Sequence, residues 1–193
     1  MEILFYNTQW MFINLWLAGV ALVFGKIALN ERHKFFKPLF LIVWLLFVPN
    51  TLYILTDYQH LPEQWPQVES LEKIILFFQY LIFEILGFLT FILSVYCFER
   101  MLTISRWGGS KIFINSTLVA LNFLIGFGIV LGRIKRLNSW EIVTDVEKVT
   151  SNTLHVALSS ELMLTAIFFG LIGNISYFLF REKVILRPSK RPR

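Results

Sequence analysis

The sequence predicts an all-α polytopic membrane bundle of about five transmembrane helices plus one short outer interfacial helix. Three observations predict it. Hydrophobic residues make up 56% of the chain and charged residues only 16%, and mean hydropathy is +0.63. The apolar residues gather into five runs, at about 10–29, 36–55, 74–98, 112–131 and 154–180. Each run approaches or exceeds the roughly 20 residues that a bilayer span needs. Basic residues fall mainly in alternate loops, as in a membrane protein with a fixed orientation.

The first run follows Glu2 rather than a basic stretch, and no small-residue cleavage site follows a short apolar core. It is therefore expected to stay as a span rather than act as a cleaved signal. The second run, 36–55, contains Pro49. A proline there removes the hydrogen bond to the Leu45 carbonyl and predicts a kink. The third and fifth runs exceed about 20 residues, which predicts tilt or extension beyond the bilayer. Between the fourth and fifth runs, Asn138-Ser-Trp-Glu141 has the spacing of a capping box. Ile142, Val146 and Val149 then share one face, so an interfacial helix is expected over about 139–150, anchored by Trp140. The whole chain, 1–193, is expected to be one membrane domain ending in a basic tail, 181–193.

Charge orients the bundle. In a five-span topology 13 of the 18 Lys and Arg residues lie on one side. They come from the 26–37 loop, the 99–111 loop and the tail. The positive-inside rule puts that side in the cytoplasm and the amino terminus outside. The net charge of +5 is then a topological signal. The basic tail is expected to meet anionic lipid, and no nucleic-acid partner is expected. Cys97 is the only cysteine, so neither an internal disulfide nor a thiolate metal site is available. No cofactor and no bound metal are expected.

The second span ends unusually. Asn50, Tyr53, Asp57 and His60 are spaced by three, four and three, which aligns them on one face if the helix continues through Pro49. Polar groups at such depth cost free energy unless they find partners. A second polar segment, Gly132-Arg133-Ile-Lys-Arg136-Leu-Asn138-Ser-Trp140-Glu141, follows the fourth span. Together with Phe47-Val-Pro-Asn50, Tyr53, Thr56-Asp57 and His60-Leu61, it resembles the signature of an uncharacterised bacterial membrane-protein family, domain of unknown function 1361. Thr51-Leu52 stands where that pattern has Ala-Pro. The resemblance covers most of the chain and implies a small polytopic architecture. It implies no activity.

Both segments are expected at the outer surface. There Asp57 and Glu141 can meet Arg133 and Arg136, which share a face if the fourth helix continues. One reading is a salt-bridge lid. The other is a pocket for an anionic group, such as a lipid head group, because guanidinium groups bind phosphates and carboxylates in bidentate fashion. Asn50 either lines that pocket or satisfies the backbone freed by Pro49. Glu141 is either a capping residue or an acid–base group. Asp57 and His60 offer acid–base chemistry or two ligands of a metal site, whose further ligands would be Glu141, Glu161 or His155. Glu161, near the outer end of the fifth span, is a second partner for Arg133. Glu84 is a carboxylate near the middle of the third span and must be neutral, paired or turned to a polar interior. Three functions remain open: a membrane enzyme or ligand-binding protein with an outward site, a subunit that docks a membrane partner, or a transporter or channel using Glu84.

Overall fold

The computed structural model describes residues 2–33, 35–105 and 110–184. Lys34, Arg106 and most of the basic tail, Arg187 to Arg193, lie outside the described residues. Within them the chain is all-α, and five helical segments are long and apolar enough to cross a membrane. Helix α1 is Glu2–Asn30. The second span begins with α2, Phe36–Phe47, and α3, Pro49–Tyr53. It tightens into a 3-10 helix over Ile54–Gln59 and ends in α4, His60–Gln64. Helix α5 is Ser70–Ile104, α6 is Lys111–Arg133, α7 is Glu141–Thr144, α8 is Val146–Leu158 and α9 is Ser160–Val184. At 35 residues, α5 is about 50 Å long, so it outreaches the hydrocarbon core.

Helices in lipid gain little from hiding apolar side chains, since hydrocarbon surrounds them anyway. Close van der Waals packing and interhelical hydrogen bonds hold them instead. Helix α6 lies against α9, where a Cβ placed on Gly126 would stand 2.3 Å from the Ala166 carbonyl. Next to this crossing, Asn122 donates to Asn174 at 3.1 Å. Helix α1 packs on α2 and α5 through Ala18, Ala21, Gly25 and Ala28, all buried. At one end of the bundle, Glu99 of α5 accepts from the Tyr177 hydroxyl and pairs with Arg181 at 3.1 Å.

The second span is interrupted at Val48, next to Pro49, yet it keeps right-handed helical backbone there. Val48 keeps φ −60° and ψ −31°. After the proline, hydrogen bonding shifts to the tighter i−3 pattern, beginning with Thr51 N–H to the Val48 carbonyl at 3.1 Å. The hydroxyls of Thr51 and Thr56 donate to the carbonyls three residues back, at 2.7 and 2.6 Å. Two glycines make room for this segment. A Cβ on Gly128 would meet Pro49 Cγ at 2.5 Å, and one on Gly87 would meet Ile54 Cγ2 at 2.4 Å.

The connection between α6 and α9 differs from expectation. The helix predicted over 139–150 is divided at Asp145, with φ −149° and ψ 68°. The Asp145 carboxylate accepts the Lys148 N–H at 3.1 Å and starts α8 there. An N-cap aspartate outcompetes helix continuation because it satisfies a backbone donor that the new helix leaves open. Helix α8 runs on to Leu158, and the chain extends at Ser159 before α9. The last span therefore begins at 160 rather than 154, and His155 belongs to the last turn of α8.

Candidate functional site

The site is built where the bent second span, the first turns after α6, and α1 meet. Asp57 is 2% exposed. Its Oδ1 accepts from Arg133 Nη1 at 2.8 Å and its Oδ2 accepts from Asn14 Nδ2 at 3.0 Å. Arg133 Nη2 also donates to the Thr56 carbonyl at 3.4 Å, and the guanidinium lies 5.0 Å from the centre of the Tyr53 ring. Both charges are thus satisfied by each other, by an amide and by an aromatic face. Breaking a buried pair of this kind leaves an uncompensated charge and costs about 3–5 kcal/mol.

The polar stripe read from the sequence does not stay in line. A 3-10 helix turns about 120° per residue against about 100° for an α-helix. Six residues in the tighter form advance the chain by roughly an extra 120°. Asn50 and Tyr53 precede that stretch and face α6. His60 follows it and has turned toward α1. It lies edge-on to Trp10 at 6.0 Å, and its Nδ1 is 3.6 Å from a Glu63 carboxylate oxygen. The Asp57 carboxylate takes its hydrogen bonds from Arg133 and Asn14 rather than from the His60 ring.

The two arginines also part company. Arg133 is the last residue of α6. Arg136 adopts φ +53°, a left-handed conformation that costs a residue with a side chain roughly 1–2 kcal/mol. The turn lets Leu137 N–H donate back to the Leu131 carbonyl at 3.1 Å. Helix α6 therefore does not continue, and Arg136 shares no helix face with Arg133.

After that turn the second segment lands on the first. The Ser139 hydroxyl donates to the Leu46 carbonyl at 2.9 Å, in the turn that Pro49 interrupts. The Asn50 amide donates to the neighbouring Phe47 carbonyl at 3.2 Å. Glu141 accepts from the Asn138 N–H at 2.7 Å and from Lys148 Nζ at 2.5 Å. The Lys148 contact, then the Asn138 N–H, hold the Glu141 carboxyl below the ordinary glutamate range. Glu141 thus completes half of a capping box and ties α7 to α8. Glu161 stands exposed in the first turn of α9, and Arg133 takes Asp57 as its ion-pair partner instead.

Between the two segments lies a cavity of about 120 Å³. Asn14, Asn50, Tyr53, Asn138, Ser139 and Trp140 supply its polar lining, with Gly128 and Gly132 as its floor on α6. Beside it runs a larger apolar groove of about 300 Å³, lined by Leu45, Leu46, Leu124, Phe127, Leu131 and Ile142 among others. The two share Pro49, Asn50, Gly128, Gly132, Leu137, Asn138 and Ser139, so they lie side by side.

Among the described residues no three His, Cys, Asp or Glu side chains converge on a point where a metal could sit. Glu84 faces the bent segment, in a separate hollow of about 280 Å³ with Tyr58, Phe77, Tyr80 and Leu81. Its Oε1 is buried without a hydrogen-bond partner. Sequence reasoning missed Asn14 and Ser139 as parts of the site. A single asparagine in an apolar span is a visible signal, but it does not say which helix it will face. A family model described as a protein of unknown function (DUF1361) matches residues 13–175. No curated protein and no solved structure matches the chain.

Proposed function

The chain belongs to this DUF1361 family, and from its geometry we propose that it is a multi-pass membrane protein that binds an amphipathic lipid. The polar cavity takes the head group and the apolar groove takes a hydrocarbon chain. The observation that carries this reading is that the two hollows adjoin, sharing seven lining residues. A polar cavity alone would suit a soluble solute, and an apolar groove alone would suit packing against another helix. A polar cavity beside an apolar groove matches a molecule with both characters.

The polar lining supports binding rather than a closed structural core. Tyr53, Asn138 and Trp140 line the cavity with hydroxyl, amide and indole groups that the fold does not spend on hydrogen bonds to described residues. Ser139, by contrast, ties the two segments together, and Asn50 bonds a carbonyl of its own span. The Asp57–Arg133–Asn14 cluster supports the Tyr53 ring from behind. Asp57, His60 and Glu141 take separate partners, so the reading assigns them positions in the scaffold and assigns the site binding rather than turnover. The distribution of basic residues supports placing this end of the bundle outside, with the tail in the cytoplasm.

The test is lipid retention. The full chain is purified from membranes in a maltoside detergent and its bound lipids are extracted and weighed by mass spectrometry. One amphiphile per protein is expected. Tyr53→Phe keeps the ring beside Arg133 and removes only the hydroxyl, and Asn138→Ala removes an exposed amide. Both variants should keep their yield and lose the lipid. A wild-type protein that retains no lipid above the detergent control overturns the reading, and so do variants that retain it fully.

A further inference from the structure

The left-handed turn at Arg136 closes α6, but no contact within the described residues explains why an arginine occupies it. Its φ of +53° is a conformation that glycine adopts freely and that other residues resist. Its side chain is exposed and makes no hydrogen bond or ion pair with described residues. Arg133 beside it is already neutralised by Asp57 at 2.8 Å. Arg136 therefore leaves a guanidinium with no partner among the described residues, one residue before Leu137 and two before Asn138, which line both the cavity and the groove. Glycine would suit this backbone better, but it would carry no charge.

We infer that the lipid is a long-chain phosphate ester and that Arg136 binds its phosphate. This inference rests on the lipid reading above and names the chemistry of its head group. The guanidinium fork matches two phosphate oxygens, and a charge-assisted pair of this kind is about twice as strong as a neutral hydrogen bond. The cavity itself holds only neutral polar groups, so the anionic part of the ligand belongs at its rim. The groove, at about 300 Å³, is at the small end of ligand pockets and suits one hydrocarbon chain rather than two. Trp140, 53% exposed at the same rim, fits the depth at which aromatic side chains meet lipid head groups.

The probe is hexadecyl phosphate, added to the full chain in maltoside detergent and followed by native mass spectrometry and thermal melting. Hexadecan-1-ol and inorganic phosphate serve as its two halves. The wild type should bind one hexadecyl phosphate, and inorganic phosphate at the same concentration should bind detectably less. Arg136→Gly should bind the ester at least about tenfold more weakly while melting no lower than wild type without ligand. Arg136→Asn, which also tolerates left-handed backbone, should behave alike. Equal binding by wild type and both variants overturns the inference. Inorganic phosphate binding as tightly as the ester also overturns it, and marks a site for a free anion. Hexadecan-1-ol binding as tightly as the ester overturns the phosphate assignment and leaves the lipid reading standing. Failure of both long-chain probes to bind the wild type overturns both.

Discussion

Asp57 shows what a single residue does in this protein. A carboxylate at that depth is costly unless its charge is met, and it is met by Arg133 and Asn14, while the Tyr53 ring lies against the guanidinium. Asp57→Ala and Arg133→Ala should each destabilise the protein by about 3–5 kcal/mol. The double change should cost clearly less than their sum, because removing both leaves no orphan charge. Urea or thermal unfolding of the four proteins measures this cycle. Strict additivity would show that the pair contributes nothing as a pair. The opposite charges of Asp57 and Arg133, and their approach across two helix ends, were legible in the sequence. Asn14 was not, because its contact depends on how α1 rotates about its own axis.

At the scale of elements, two devices set the geometry. The first is the change from α to 3-10 in the second span. Proline positions predict a bend, but not its phase, and the phase decides that Tyr53 lines the cavity while His60 turns to Trp10. The second is glycine at helix crossings. Gly126→Ala puts a methyl 2.3 Å from the Ala166 carbonyl, which is backbone and cannot rotate away. The helices α6 and α9 must separate, and folded yield should fall severely. Gly19→Ala meets nothing within 4 Å. It should be neutral or gain up to about 1 kcal/mol, since alanine stiffens the unfolded chain. Size-exclusion profiles and melting temperatures compare the two. Equal behaviour would show that the α6–α9 approach is looser than described. The division at Asp145 left only the weak signal that aspartate is a favoured N-cap, and the hydrophobic period across it favoured one continuous helix.

For the molecule as a whole, the question is which way it sits in the membrane. The site lies at the end of the bundle where the second span closes and α6 ends. If basic residues orient the chain, that end faces out. A cysteine introduced at Gln67 should be labelled by an impermeant maleimide in intact cells. One at Arg32 should be labelled only after permeabilisation. Cys97 is buried and leaves the background low. The reverse pattern would move the lipid site to the cytoplasmic face. It would leave the fold unchanged, because the helix packing does not depend on orientation.

By itself the sequence determined that this chain is a helical membrane bundle with five spans, a bend at Pro49 and two polar segments. Each of those follows from local chemistry. An apolar run of sufficient length must be helical in lipid, and a proline must lose a hydrogen bond wherever it sits. What only the tertiary structure decided is how the two segments join. Ser139 reaching the Leu46 carbonyl, Asn14 reaching Asp57, and the cavity lying beside the groove all depend on distances between helices far apart in sequence. Apolar surface sorts residues into the membrane without choosing their neighbours there. That choice falls to close-packed glycines and buried polar pairs, whose partners no local pattern specifies.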